Sequence, residues 1–165
     1  MICDMAPQTP YTTDLAGRDP IEALRDTTSR IGALAGAWSP ADFERSYAPG
    51  KWSARQILTH LAQTEIALGH RARMALTTPN YAAQSFDQDT WIARESTTSG
   101  RDALDAFLAL AAMNRALFAS LSPADRATTL SHPEYGSLTV DWILHQMAGH
   151  QIHHLKQLEE TATRR

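Results

Sequence analysis

A chain of 165 residues, 43% of them apolar, is long enough to bury one substantial core and too short to need a second. Its formal net charge is -3 and its basic residues are scattered, which excludes the Lys/Arg stripe that nucleic acid requires and the basic amphipathic face that a lipid surface requires. The single cysteine, Cys3, excludes an internal disulfide and a multi-cysteine metal site.

Residues 1–18 read as an N-terminal arm and residues 19–163 as one domain. The opening "MICDMAPQTP" has an Asp and a Pro where a secretory signal has a positive region and an apolar run. No later run is expected to reach membrane-spanning length, and the expectation is a cytoplasmic protein. The first helix opens at "DPIE", with Asp19 as N-cap, Pro20 at the first helical position and Glu22 closing a capping box, and runs to about Gly36. "SARQ", from Ser53 to Gln56, repeats the capping logic and starts a helix ending near Leu76. More than twenty residues follow before the next helix, too many for a turn between antiparallel neighbours, so a crossover is expected. Within it "DQDTWIARE" reads as one or two helical turns anchored by Phe86 and Trp91. A third helix after Ser99 and Gly100 carries Leu104, Phe107, Leu108, Ala111 and Phe118 at helical spacing and stops at the second of two "SPAD" tetrapeptides, which begin at Ser39 and Ser122. The fourth helix is expected to start after "HPEYGS" and to run through "HQMAGHQIHHLKQLEE". No segment shows sustained strand-like alternation. These counts predict an all-α four-helix bundle with a long crossover between its second and third helices.

Histidines on the long helices sort by face, because an α-helix advances about 100° per residue. On the fourth helix His150 and His154 lie beside the apolar sector of Ile143, Leu144, Met147, Leu155 and Leu158, whereas His145 and His153 fall roughly 140° from its centre, towards solvent. On the second helix His60 sits on the shoulder of the face formed by Ile57, Leu61, Leu68 and Ala72. Two inward histidines at i and i+4 plus a third from another helix supply three imidazoles able to converge on one ion. Core histidines with individual partners are the alternative, since each buried nitrogen requires a partner in either case.

The segments "PGKWSARQILTHLAQTE", "FDQDTW", "HPEYG" and "AGHQIHHLKQLE" resemble, in order and spacing, the DinB-like superfamily and its YfiT-like branch of metal-dependent hydrolases, over nearly the whole chain from Tyr11 to Glu160. That resemblance implies a four-helix bundle, commonly a homodimer, holding zinc, nickel or a similar divalent ion on three histidines. By motif position these are His60, His150 and His154, the same three that the facial sorting turns inward. Gln63 stands where relatives often have an acidic residue. The best understood branches implied by the resemblance use a low-molecular-weight thiol, which makes a thiol cofactor and thiol transfer a rival to hydrolysis.

Three neutral imidazoles leave a divalent ion its full charge and an open position for a small-molecule substrate or water, the arrangement of catalytic sites. A metal-dependent hydrolase is therefore the first expectation, thiol transfer the second, and a non-catalytic metal-stabilised binding or dimerisation module the third. No general base is assigned. Glu65 projects about 140° from His60 and reads as structural or surface; Asp87 reads as a helix N-cap and, with Asp89, as able to reach the site from the crossover; Gln63 and Arg71 read as able to orient a substrate. The tryptophans at 38, 52, 91 and 142 read as core and pocket walls.

Overall fold

The computed structural model describes residues 6–164; Cys3 and its expected arm position lie outside them. Ten elements follow in chain order: α1 (Thr12–Leu15), α2 (Pro20–Gly36), α3 (Pro40–Phe43), α4 (Ala54–Thr77), α5 (Gln88–Arg94), α6 (Gly100–Ser120), α7 (Pro123–Arg126), β1 (Thr129–His132), β2 (Gly136–Thr139) and α8 (Val140–Thr163). The first three long helices start where the caps predict. Ser53 Oγ accepts from the Gln56 amide at 3.3 Å while Gln56 Oε1 accepts from the Ser53 amide at 2.9 Å, satisfying two of the donors that every helix start leaves orphaned. At α2 only half of the expected box forms: Asp19 accepts from the Glu22 amide, but the Glu22 carboxylate turns to Arg25 in solvent. Both "SPAD" tetrapeptides become single capped turns, α3 and α7.

Each of α2 and α4 packs against both α6 and α8, so the four helices close a ring with α2 and α4 on one diagonal. Arg30 pairs with Glu159, and Thr28 Oγ1 lies 3.2 Å from Gln151 Oε1, so α2 and α8 run in the same sense. Gly32 meets Leu108 and Arg101 reaches the Gly36 carbonyl, so α6 runs against α2. Leu68 and Ala72 share one apolar cluster with Ile143 and Met147, while Ile57 and Leu61 share another with Leu155 and Leu158, so α4 runs against α8. The neighbours α4 and α6 are consequently parallel, and a chain leaving α4 must travel back its whole length, roughly 36 Å at 1.5 Å per residue, before α6 begins. This is the physical reason for the crossover, within which α5 forms as expected, capped by Asp87, with Phe86 against Trp91 at 4.7 Å.

Two apolar clusters fill the bundle, one centred on Phe118, Leu24, Ile143 and Leu144, the other on Phe107, Ile31, Leu58 and Leu158. Every long helix changes cluster at a buried polar residue: Thr27 on α2, Gln63 to Glu65 on α4, Asn114 on α6 and Gln151 on α8. Glu65 is 2% exposed and accepts from Asn114 Nδ2 and from Gln151 Nε2, each at 2.8 Å, while Asn114 Oδ1 accepts from Arg73 at 2.7 Å. Gly69 is required beside this layer, because a Cβ there would meet Asn114 Oδ1 at 2.4 Å. The structural reading of Glu65 therefore stands, and the surface reading does not.

Two sequence expectations are corrected. α8 begins at Val140, and the residues before it form an antiparallel hairpin with Leu130 opposite Leu138 and His132 opposite Gly136. Each strand is four residues, too short for sustained alternation, and its stability comes from Leu130 and Leu138 packing on the core. The hairpin is also tied to the crossover: Ala83 N–H donates to the Ser131 carbonyl and Ser131 N–H to the Tyr81 carbonyl. The second correction concerns α6, which by length and composition is apolar enough to cross a membrane; in the fold its stripe of Ala103, Leu104, Phe107, Ala111 and Phe118 is buried within the bundle.

Candidate metal centre

His60 on α4 and His150 and His154 on α8 are each 4–5% exposed, and their ligand nitrogens all lie within 4.8 Å of one another. The Nε2 atoms are the ones that meet, His60 to His150 at 2.9 Å and His154 to His150 at 3.0 Å. Burial pushes the His60 imidazolium pKa down to about 4 and, with the neighbouring His60, that of His154 to about 3; burial and both neighbours hold His150 well below its ordinary value too. All three rings are neutral near pH 7, so each has one N–H and one lone pair.

That count decides what the cluster fits. His154 Nδ1 lies 2.7 Å from Gln157 Oε1, which can only accept, so His154 carries its proton on Nδ1 and turns a bare Nε2 lone pair inward. His150 Nε2 stands between two other Nε2 atoms and has either one proton to give or one lone pair to fill. Under every neutral arrangement at least one inward-facing lone pair or N–H is left without a complement. A divalent cation accepts all three lone pairs at once, and the donor set fits zinc or a similar borderline ion. Gln157 is then the outer partner that fixes one ligand's tautomer; it also donates to His153 Nε2 at 3.1 Å and to the Tyr47 hydroxyl at 3.3 Å. His60 Nδ1 is buried with no such partner among the described residues, and the Trp52 ring, 5.0 Å away, holds that imidazole by packing instead.

Two of the three, His60 and His150, line a cavity of about 240 Å³. Its floor is one face of α4, His60, Thr64, Leu68 and Arg71, and the facing wall is Trp142, Gln146 and His150 of α8. Ser85, Phe86 and Gln88 of the crossover roof it, His132, Glu134 and Tyr135 of the hairpin close it, and Pro10 and Tyr11 complete the rim. Tyr11 packs edge-on to His150 at 5.1 Å, and its segment is clamped to α8 by the Trp142 indole on the Gln8 carbonyl and by Lys156 on Asp14. Burial raises the Tyr11 pKa, so its hydroxyl keeps its proton.

The structure thus brings together the three histidines singled out by spacing and adds Arg71 and Trp142 to the same cavity. It leaves out the other candidates. His153 faces Asp14 and Gln157 rather than the cluster; His145 is partly buried rather than solvated, its Nδ1 bonded to the Asp141 carbonyl. Asp87 is spent on capping α5, and Asp89 lies in a separate groove with Trp52 and Ile92. Gln63 is 1% exposed and does not line the cavity; among the described residues neither of its side-chain polar atoms has a partner. Trp38 packs on Phe43 and Trp91 on Phe86. His132, Gln157, Gln146 and Tyr11 were not anticipated. "HPEYG" stood out only as a quoted segment, and Gln157, three residues after His154, was the one local signal available.

The family model of the DinB superfamily matches residues 23–158. Among curated relatives, a protein of Oceanobacillus iheyensis provisionally named a metal-dependent hydrolase is 28% identical over 123 residues, covering 74% of this chain and 72% of its own. Another so named, from Halalkalibacterium halodurans, is 20% identical over 145 residues, covering 87% and 85%. Among solved structures, YfiT from Bacillus subtilis, described as a probable metal-dependent hydrolase with an unusual four-helix bundle topology, superimposes with a TM-score of 0.80 at 20% identity over 97% of this chain and 91% of that one. A mycothiol-dependent maleylpyruvate isomerase follows with a TM-score of 0.70 at 18% identity, over 92% and 63%. With its crossover bundle and a match that spans all four long helices, the chain belongs to the DinB superfamily.

Proposed function

We propose that this protein is a metal-dependent hydrolase that holds one divalent ion, zinc or nickel, on Nε2 of His60, His150 and His154. The observation that carries the reading is the convergence of three buried, neutral imidazoles, two of them lining the cavity, with no arrangement of their own protons that gives every inward nitrogen a complement. Bound there, the ion supplies Lewis acidity and brings the pKa of a water at its open position towards neutrality. The remaining work belongs to the chain. Gln157 and Trp52 hold two of the imidazoles in orientation, Tyr11 offers a protonated hydroxyl at the rim, and the buried Gln146 Oε1, without a partner among the described residues, offers an acceptor to a substrate donor. The crossover, the hairpin and the N-terminal segment keep bulk water from three sides.

Metal analysis of untagged protein should find about one ion per chain. His60→Ala, His150→Ala and His154→Ala should each lose the ion and any metal-dependent turnover, while His153→Ala keeps both. Ester or amide cleavage should proceed without added thiol. The likeness to the mycothiol-dependent isomerase supports one rival, thiol transfer; its signature is a thioether formed from an alkyl halide or epoxide only when a low-molecular-weight thiol is present. A chain that takes up no ion after metal supplementation sinks both readings.

A further inference from the structure

The end of the cavity away from the histidines has a chemistry of its own. His60, Thr64, Leu68 and Arg71 follow one face of α4, since eleven residues are close to three turns, and they place the His60 and Arg71 Cα atoms about 16 Å apart along the axis. Arg71 is half buried, its guanidinium 5.8 Å from the Phe86 ring centroid; among the described residues its one hydrogen-bond acceptor is the Gln84 carbonyl. Four of its five N–H donors therefore have no protein acceptor among the described residues. His132 stands beside it, 6% exposed, with Nδ1 accepting from the Glu134 amide at 3.2 Å, so that its proton resides on Nε2 and that nitrogen donates. Burial and the Arg71 charge both lower the His132 pKa, which keeps it a neutral donor.

The lining has one carboxylate, Glu134, which is exposed, accepts from Ser85 Oγ and lies near enough to Arg71 and His132 to act on the charge of both. Two donor groups lining one cavity, one of them a full positive charge, with no buried acid beside them and the Glu134 carboxylate held by Ser85, form a receptor for an anion. Between this end and the histidines the walls are Tyr11, Leu68, Phe86, Tyr135 and Trp142, surfaces for an apolar body.

We propose that Arg71 and His132 form a carboxylate-binding subsite, and that the ligand of this cavity is a small organic acid whose carboxylate docks there while a short apolar chain carries its reactive group to the three histidines. Only the ligand's orientation rests on the metal-centre reading; the subsite itself stands on Arg71 and His132. A planar guanidinium fork reads a carboxylate in two parallel bonds, and an uncharged isostere loses both the charge and one acceptor.

The test has two arms. In metal-free protein, where no ion can bind the acid, tryptophan fluorescence is titrated with hexanoate and with hexanol. Hexanoate should bind about tenfold or more tighter, and Arg71→Gln should abolish that preference while leaving hexanol binding unchanged. In cobalt-loaded protein, 6-mercaptohexanoate and 6-mercaptohexanol are compared through the thiolate-to-cobalt absorption band. The acid should again win in wild type, and Arg71→Gln should bind both alike with the band intact. His132→Phe, which keeps the ring but not the donor, should weaken hexanoate binding several-fold. Equal affinities for acid and alcohol in the wild-type, or an undiminished preference in Arg71→Gln, overturn the subsite. Failure to take up cobalt, with the hexanoate preference present in metal-free protein, overturns the metal centre instead and leaves the subsite supported.

Discussion

A single hydrogen bond does much to separate a metal ligand from a core histidine in this protein. His154 gives its Nδ1 proton to Gln157, and the rest of its chemistry follows from that: a fixed tautomer, an inward lone pair and a ring held by its neighbour one turn on. Outer partners of this kind are worth about 10–100-fold in metal affinity. Gln157→Ala should therefore weaken metal binding by that order while far-ultraviolet circular dichroism stays unchanged, as competition with a chromophoric chelator would measure. Unaltered affinity would mean that packing alone orients His154. His60, whose Nδ1 has no partner, should be less sensitive to its polar surroundings and more sensitive to loss of Trp52. Spacing made the three inward histidines legible, because helical faces are a local property; Gln157's part depends on a rotamer, which spacing does not encode.

Among the elements, the N-terminal segment differs most from its expected role as an arm. Residues from Gln8 to Leu15 lie along α8, and Gly149 permits the approach: a Cβ there would meet the Tyr11 carbonyl oxygen at 2.5 Å, a backbone atom that has no rotamer to escape by. Gly149→Ala should lift this segment off. Replacing glycine by alanine within a helix itself favours the helix by about 0.5–1 kcal/mol, so the bundle should keep its melting temperature. Limited trypsin digestion should then cut after Arg18 at several times the wild-type rate. If the cleavage pattern does not change, the segment's contacts are slack enough to absorb a methyl group. The hairpin between α7 and α8 belongs to the same scale. Its two four-residue strands gain a partner in the crossover and an apolar anchor in Leu130 and Leu138, and neither is visible from the strand residues themselves.

For the whole molecule, the buried polar layer and the histidine cluster give opposite pH dependences in the metal-free protein. The three imidazoles are held below their ordinary pKa of 6.5, so between roughly pH 4 and 6.5 the unfolded chain binds more protons than the folded one and stability rises with pH. Glu65 is pushed up to about 7 from an ordinary 4.5 by burial, against the hydrogen bonds of Asn114 and Gln151. Between those two values the folded chain holds the extra proton, and this contribution makes stability fall as pH rises. Three groups outweigh one, so the net expectation is a melting temperature that drops on acidification and levels off above about pH 7. His60→Ala should make the acid drop shallower by removing one of the three contributions. Thermal unfolding of metal-free protein across pH 4.5–8 reads this directly, and a flat profile below pH 6.5 would show that the cluster is hydrated or already protonated in the fold.

What the amino-acid order determined by itself is everything that depends on neighbours within a few turns. The starts of the first three long helices are written in Asp19-Pro20, Ser53 and Ser99; the inward faces of α4 and α8 are written in their 3.6-residue rhythm; and the need for a crossover is written in the length of the link after Thr77. The choice of His60, His150 and His154 over His145 and His153 belongs to this class. Tertiary structure alone decided which helices run parallel, which polar residues meet at one level of the bundle, and what closes the cavity. Glu65 illustrates the difference: on its own helix it points away from His60, as a surface residue would, and it is buried only because α6 and α8 bring Asn114 and Gln151 to it. Arg71 and His132 are 61 residues apart in the chain, and no local pattern relates them. They share a cavity because parallel α4 and α6 force the chain into a crossover, and the crossover holds the hairpin over the end of α4.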